Sequence, residues 1–199
     1  SNFAGVVDSV LQFENDIVTW GLGNINVDPK FIDLENNNYY ILASSQLVNA
    51  GHPDSLDSDG TRADIGAFPY LNSYSGPNWF ISENGNDLNA TGSLENPFSS
   101  IQSGINFAIN GDSIAVAAGT YTENINMRSK VVKLVGEVFT NSVGEDIPNT
   151  IIDGNGNGSV VTFMNDAQGA LLKNFTIQNG NALYEPSWAS TFGAAGGGI

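Results

Sequence analysis

One amphipathic helix followed by many short strands is the feature that most constrains how this chain can fold. Residues 98–109 carry apolar side chains at the spacing of a helix with one buried face. After a turn at 110–112, residues 113–118 form a predicted strand. Gly119-Thr120 then breaks the pattern before a second extended segment, 121–127. This order predicts a helix that closes the open end of a stack of strands.

More apolar segments follow, separated by Asn-Gly and Asp-Gly turns, at 131–135, 150–152, 160–163 and 171–177. The starts at 131, 150 and 171 lie roughly 20 residues apart, which is the length of one turn of a β-solenoid. Such a turn is stable only when it stacks on its neighbours. The pattern therefore predicts an all-β fold built from stacked turns.

Charge and composition exclude several kinds of function. Six Lys and Arg against 21 Asp and Glu give a formal net charge of -15, which argues against nucleic acid or an anionic membrane as partner. The absence of cysteine excludes disulfides, zinc-thiolate sites and thiol catalysis, and is compatible with secretion. No apolar run approaches the roughly 20 residues that span a bilayer, so membrane insertion is not expected. The export signal of a secreted protein would lie outside this sequence.

Acidic, turn-rich loops favour a cation, and Ca²⁺ is the natural candidate. The alternative is a solvated acidic surface that maintains solubility. The loop 52–64 has the spacing DxDGxxxD, in which a glycine turn would let carboxylates converge on one ion. The alternative is a loop whose aspartates accept backbone N–H groups or pair with Arg62. The candidate ligands are Asp57, Asp59 and Asp64, with Asp54 nearby. A second loop offers Asp87, Asn89 and Glu95, for which a hydrogen-bonded loop without a cation is the favoured alternative.

Catalytic candidates are few. No pairing of the six basic residues with Asp or Glu has a recognisable catalytic spacing, and His52 and Asp153 are expected to be loop and turn residues. Aromatic side chains are expected mainly in the core. Tyr184 and Trp188, in an insertion at 182–191, are the best candidates for an exposed ligand-binding loop.

The segment from Trp79 to Asn126 resembles the amino-terminal opening of right-handed parallel β-helix, or pectin-lyase-like, proteins. It has a first strand, a polar loop, a Pro-Phe helix start, a capping helix and the pattern GDSIAVAAGTYTENI. The stretches IIDG at 151–154 and FTIQNG at 175–180 match the early coils of such proteins. This resemblance implies a right-handed β-solenoid with a capping helix near 98–109.

Residues 24–70 are similar to the opposite end of the same architecture. GNINVDPKFID, LASSQLVNAG and DSDGTRADIGAFPY resemble the carboxy-terminal coils and cap of bacterial surface β-helix proteins of the choice-of-anchor Q type. The expected organisation is the end of one β-helix in 1–70, a linker in 71–78 and the start of another in 79–199. A fragment of a longer polypeptide explains this order, and a circularly permuted single domain is the alternative.

The resemblance implies a secreted or cell-surface protein with a structural or adhesive role. Expected partners are extracellular polysaccharide, neighbouring surface proteins and the machinery for export or anchoring. The alternative is a polysaccharide lyase or hydrolase whose catalytic coils lie outside this chain. Fold alone does not separate the two.

Overall fold

The computed structural model describes residues 25–163 and 168–181. Within these ranges the chain forms thirteen short strands and one helix, so the predicted all-β character is confirmed. In chain order the elements are β1 (Phe31–Asp33), β2 (Asn38–Ile41), β3 (Asn78–Ile81), α1 (Ile101–Phe107), β4 (Ser113–Val116), β5 (Gly119–Thr122), β6 (Ile125–Asn126), β7 (Lys133–Gly136), β8 (Val138–Thr140), β9 (Asp146–Pro148), β10 (Thr150–Asp153), β11 (Val161–Thr162), β12 (Leu171–Lys173) and β13 (Phe175–Gln178).

Three parallel sheets dominate the part of the chain after α1. Their strand orders are β12-β7-β4-β3, β13-β10-β5 and β11-β6. The chain visits them in rotation, from β4 to β5 to β6, and then returns to the first sheet at β7. Each new strand pairs with the one a turn earlier, as in the register Ile114–Leu134–Leu172. Successive turns of the chain therefore stack on one another.

Side chains aligned by this register form the core. In the first sheet, Trp79, Ile114 and Leu134 lie in one ladder and are buried. Tyr121 and Ile152 form the matching ladder in the second sheet. Each such side chain contributes about 1.5–3 kcal/mol through burial of its apolar surface. These stacks of apolar side chains stabilise each turn against the next, which explains why a single turn would not fold alone.

Helix α1 confirms the predicted helix but differs in how it is buried. Ser100 is the N-cap, and its hydroxyl accepts a hydrogen bond from the backbone N–H of Ser103. All seven helical residues are buried, so the expectation of one buried face was wrong. Gly104 permits the close approach to the sheet, because a Cβ there would lie 2.9 Å from Cδ1 of Ile81. The helix is covered on its other side by residues 25–72.

The edge of each parallel sheet next to α1 is satisfied by a different set of hydrogen bonds. In the first sheet, Phe80 of β3 bonds to the backbone of residues 92 and 98. In the second, Glu83 Oε1 accepts the N–H of Thr120 at 2.9 Å. In the third, the amide of Gln102 accepts from the Asn126 N–H at 2.8 Å and donates to the Asn126 carbonyl at 3.2 Å. Backbone groups that would otherwise pair with another strand are thereby satisfied.

Residues 25–72 lie over α1. They contain the antiparallel pair β1-β2 and a turn, 42–50, whose carbonyls accept hydrogen bonds from Asn106 of the helix. The Ala43 N–H donates to the Asp87 carbonyl at 2.9 Å, and the Tyr70 hydroxyl donates to the Ala90 carbonyl at 2.6 Å. Tyr70 also packs against Phe107 of the helix. The division of the chain at 71–78 stays a prediction, and contacts across it are extensive.

Three local features differ from the sequence-based expectations. Gly119 and Thr120 belong to β5 rather than breaking the chain before it. The segments starting at 131 and 150 lie in different sheets, so the expected spacing does not describe one repeat. Lys133 instead pairs with Leu171, so one turn of the chain runs from β7 to β12. This turn includes the antiparallel hairpin β8-β9, which was not predicted.

No helix among the described residues has the length and hydropathy that crossing a bilayer requires.

Candidate functional site

The surface of α1 that faces residues 43–50 carries a buried polar network centred on Asn106. This side chain is fully buried, and its Nδ2 donates to the carbonyls of Ala43 at 2.8 Å and Ser45 at 2.7 Å. Its Oδ1 accepts from Gln102 Nε2 and from Arg128 Nη1, each at 3.0 Å. All four hydrogen-bonding positions of the amide are filled, as burial requires.

Arg128 extends this network from the loop after β6. Its Nη1 donates to the Val48 carbonyl at 2.7 Å, and Nη2 to the Asn49 carbonyl at 3.3 Å. Burial, followed by the charge of Arg62, lowers the pKa of Arg128 to about 10. The guanidinium remains charged at neutral pH and binds the turn 42–50 to the stacked sheets.

Lys130 lies at the carboxyl end of α1. Its ammonium donates to the carbonyls of Ile105 at 2.7 Å and Asn106 at 2.8 Å, which belong to the last turn of the helix. A cation is favourable there because the helix dipole is negative at this end. Burial, followed by the charge of Arg128, lowers the pKa of Lys130 to about 7.

A cleft of about 540 Å³ opens beside Lys130. Its polar wall includes Asn49 and Arg62, and its apolar wall includes Tyr74 and Ile109. Arg62 is exposed, and its Nε donates to the Gly51 carbonyl at 2.8 Å. Its Nη2 donates to the same carbonyl, so the guanidinium is held against the loop. The cleft thus combines fixed cationic groups with an apolar surface.

The structure gives the aspartates of the predicted calcium loop backbone partners. Asp57 Oδ2 accepts the Asp64 N–H at 2.9 Å, and Asp59 Oδ2 accepts the Asn72 N–H at 2.7 Å. The two oxygens of Asp64 accept the N–H groups of Asn49 and Tyr70. Burial raises the pKa of Asp64 to about 6, although these two donors oppose the shift. The aspartates therefore bind the loop to its neighbours.

Asp54 lies apart from this set. Its carboxylate is exposed and lies 3.9 Å from Nδ1 of His52. Across 25–163 and 168–181, no group of three or more His, Cys, Asp or Glu side chains has a metal-binding arrangement. Calcium in the loop stays a prediction.

The second predicted cation loop is directed towards α1. Asp87 Oδ1 accepts the N–H groups of Ser99 at 3.0 Å and Ser100 at 3.3 Å, and the Ser103 hydroxyl at 2.9 Å. Asn89 and Glu95 are exposed. Asp87 therefore supports the start of the helix, and a cation bound by these three residues stays a prediction.

Two other sets of predicted residues have different outcomes. Tyr184 and Trp188 lie outside the described residues, so their proposed binding loop stays a prediction. Asp153 was expected to be a turn residue, but it is the last residue of β10 and pairs with Thr122 and Gln178. Its carboxylate accepts from Asn155 N–H, Gln178 Nε2 and Asn179 Nδ2.

Sequence reasoning missed the residues that surround α1. Glu123 accepts the N–H groups of Ile101 at 2.7 Å and Gln102 at 3.0 Å, so it caps the helix from a later strand turn. Burial raises the pKa of Glu123, and the two donors partly oppose this rise. The sequence contained one indication of this role. Glu123 is the only glutamate between β5 and β6, and it lies two residues after Tyr121, which faces the core.

Residues 83–184, just over half of the chain, match the family described as "Protein of unknown function (DUF1565)". The chain belongs to this family. The matched region begins in the loop before α1 and includes the helix and the three parallel sheets except β3, whereas the covering segment 25–72 lies outside it. No curated protein and no solved structure matches the chain.

Proposed function

We propose that this chain is part of an extracellular or cell-surface right-handed parallel β-helix protein with a structural or adhesive role. In this proposal residues 25–70 end one β-helix and residues from 79 onwards begin the next. The observation that carries it is the end-on packing of 25–72 against α1 through the buried Asn106 and Arg128 contacts. A joint of this kind would hold successive units in one rigid rod.

The path of the chain supports the β-helix assignment. Three parallel sheets are visited in rotation, and parallel crossovers within one sheet are right-handed in about 98% of cases. The outermost strands β12 and β13 pair on one side with β7 and β10. A further turn stacked on β12 and β13 would extend the same ladders, as a rod requires.

Charge and composition support the extracellular role. An acidic surface with a net charge of -15 favours solubility and disfavours binding to nucleic acid or anionic lipid. Polysaccharide, neighbouring surface proteins and the export or anchoring machinery are the partners that we propose. Glycan binding by exposed loops would give the rod its adhesive property.

Small-angle X-ray scattering of Arg128→Met tests the joint. The wild-type chain should scatter as one rigid particle, whereas the variant should show increased flexibility between 25–72 and the sheets. The carbonyls of Val48 and Asn49 lose the Arg128 donor, and Asn106 Oδ1 keeps only Gln102. Lys133→Met is the matched control, since Lys133 is exposed on β7. Identical scattering from both variants and the wild type would contradict a rigid joint that depends on Arg128.

An activity assay tests the alternative of a polysaccharide lyase or hydrolase. The chain is incubated with acidic and neutral polysaccharides, and new reducing or unsaturated ends are measured. No increase is expected if the chain is structural. Turnover by the purified chain would overturn the structural proposal in favour of an enzyme.

A further inference from the structure

The hairpin β8-β9 exposes two large apolar side chains on one of its faces. Phe139 and Ile147 lie directly opposite each other in the register, so their side chains leave the hairpin on the same side. Phe139 is 61% exposed and Ile147 is 47% exposed. Within 25–163 and 168–181, therefore, nothing covers this apolar pair.

A groove of about 520 Å³ lies on the outer face of the first sheet, next to this hairpin. Its floor is one row of the strand register that alternates with the buried ladder, namely Phe80, Ala115 and Val135. Leu94 and Pro97 line the groove as well, and so does Glu137, the residue before the hairpin. An apolar groove and an exposed apolar pair are thus neighbours on one surface, which is typical of a protein interaction site.

The charge around the groove is mixed, whereas the chain as a whole is strongly acidic. Lys173 extends the floor row and Lys133 lies in the next row, and both side chains are exposed. Glu83 and Glu137 lie just after β3 and β7, where each accepts a backbone N–H, and Glu95 is exposed beside the groove. Two cations therefore stand against three carboxylates here, compared with six against 21 in the whole chain. Two copies of the chain repel each other less at this surface than elsewhere.

The hairpin and the groove carry complementary patterns of apolar and charged side chains. On the hairpin, the Asn141 N–H donates to the Glu145 carbonyl, so the ladder continues and Glu145 lies on the face of Ile147, about 7 Å along the strand. Asn141 Nδ2 holds the Glu145 carboxylate there at 3.0 Å. In the groove floor, Lys173 lies one strand beyond Val135, at about 5 Å. An apolar pair beside a carboxylate thus matches an apolar row beside an ammonium group.

We propose that this surface binds a second copy of the chain, with Phe139 and Ile147 of each hairpin in the groove of the other copy. Glu145 of one copy then pairs with Lys173 of the other. Because the hairpin and the groove are neighbours, a twofold axis lets the two copies make both contacts at once. The proposal does not require the rod proposed above, so loss of association and loss of joint rigidity are separate results.

Sedimentation velocity of the full chain tests the association. In about 0.15 M sodium chloride the charges of the chain are screened beyond about 8 Å. Between about 1 μM and about 100 μM protein, we expect the sedimentation coefficient to rise from that of a monomer towards that of a dimer. A chain that stays monomeric over this range would overturn the proposal and leave the groove to a different protein or to a glycan.

Substitutions on each side of the contact have a matched control at Leu34, which is 59% exposed in the turn between β1 and β2. Phe139→Ser should weaken the dimer at least about tenfold, and Leu34→Ser should leave it unchanged. Ala115→Glu places a charge on the exposed floor of the groove and should weaken the dimer as much, whereas Leu34→Glu should not. An equal loss in the control variants would reduce the effect to general surface properties and overturn the site.

A mixture of the two variants tests the exchange of hairpins directly. Phe139→Ser retains an intact groove and Ala115→Glu retains an intact hairpin, so together they can form one of the two contacts that neither can form alone. The mixture should therefore associate more tightly than either variant and less tightly than the wild type. Association of the mixture no tighter than that of the variants alone would overturn the proposed contact.

Hydrogen exchange of the wild type decides the question if either variant does not fold. Amides of 138–148 and of β4 should exchange more slowly at high protein concentration than at low concentration, and those of β13 should not change. Protection that does not depend on concentration at 138–148 would overturn the proposal.

Discussion

In the described part of the chain, carboxylates serve mainly as acceptors for backbone N–H groups. Glu83 accepts from Thr120, Glu137 from Ala118, and Asp112 from Ile109. Short strands expose many N–H groups at their ends, and an ionised carboxylate is a strong acceptor for them. This use accounts for several of the acidic residues without requiring a cation for each one.

Glu123→Gln should destabilise the protein by about 1–3 kcal/mol in the free energy of unfolding. The amide has one acceptor oxygen where the carboxylate offers two, so one N–H at the start of α1 loses its partner. Urea denaturation measures the change. Glu35→Gln is the control, because Glu35 is exposed, and it should change stability by less than about 0.5 kcal/mol. Equal stability of Glu123→Gln and the wild type would contradict the capping role.

Lys130→Met should remove part of the pH dependence of stability. The pKa of Lys130 is about 7 in the folded chain and near its ordinary 10.5 when unfolded, so the unfolded chain binds one more proton between these values. Stability should therefore rise with pH across that range in the wild type. Burial is the main cause of this lowered pKa, the charges of Arg128 and Arg62 add to it, and the charge of Asp112 opposes it.

Melting temperatures at about pH 6.5 and about pH 9.5 measure this effect. The rise between the two should be smaller in Lys130→Met than in the wild type, and Lys133→Met should behave like the wild type. The same rise in all three proteins would show that Lys130 does not carry the dependence.

At the scale of elements, α1 closes the sheets with side chains as well as backbone. The Gln102 amide presents one donor and one acceptor to Asn126, which is the pattern of a neighbouring strand. Its Nε2 also reaches Asn106, so the sheet edge and the covering segment share one residue. A side chain that pairs with the sheet edge in this way adds no new strand edge to which another chain could bind, whereas an additional strand would.

Gln102→Ala should open this edge. We expect faster hydrogen exchange at the Asn126 amide, because its acceptor is lost, and a decrease of about 1–3 kcal/mol in unfolding free energy. Thr122→Ala, on the exposed face of β5, is the control and should leave the exchange rate unchanged. Unaltered protection of Asn126 in Gln102→Ala would show that the side chain does not act as an edge partner.

Local patterns predicted α1 and most of the strands, because apolar periodicity depends on neighbours in the sequence. They did not predict the role of Glu123, whose helix partner Ile101 lies 22 residues away. The hairpin β8-β9 was missed because its apolar residues Phe139, Val143 and Ile147 are exposed and form no core pattern. The spacing of the 57–64 loop fits both calcium and backbone acceptors, since both require converging carboxylates.

At the scale of the whole molecule, the excess of negative charge should allow added salt to stabilise the folded chain. The chain has a net charge of -15, and no Lys or Arg of the described ranges forms an ion pair with a carboxylate within 4.0 Å. Added salt then screens repulsion while removing few attractions. The melting temperature should rise from about 0.01 M to about 0.15 M sodium chloride. A fall would indicate that attractive charge pairs dominate.

Calcium in the 57–64 loop can be separated from this general effect at constant ionic strength. If the sequence-based prediction holds, calcium chloride should raise the melting temperature above sodium chloride of matched ionic strength, because an ion that binds only the folded state stabilises it. Asp59→Asn should abolish that difference, whereas Asp146→Asn, in the exposed hairpin β8-β9, should retain it. Equal melting temperatures in the two salts would contradict a calcium site and leave Asp57, Asp59 and Asp64 as acceptors for the backbone.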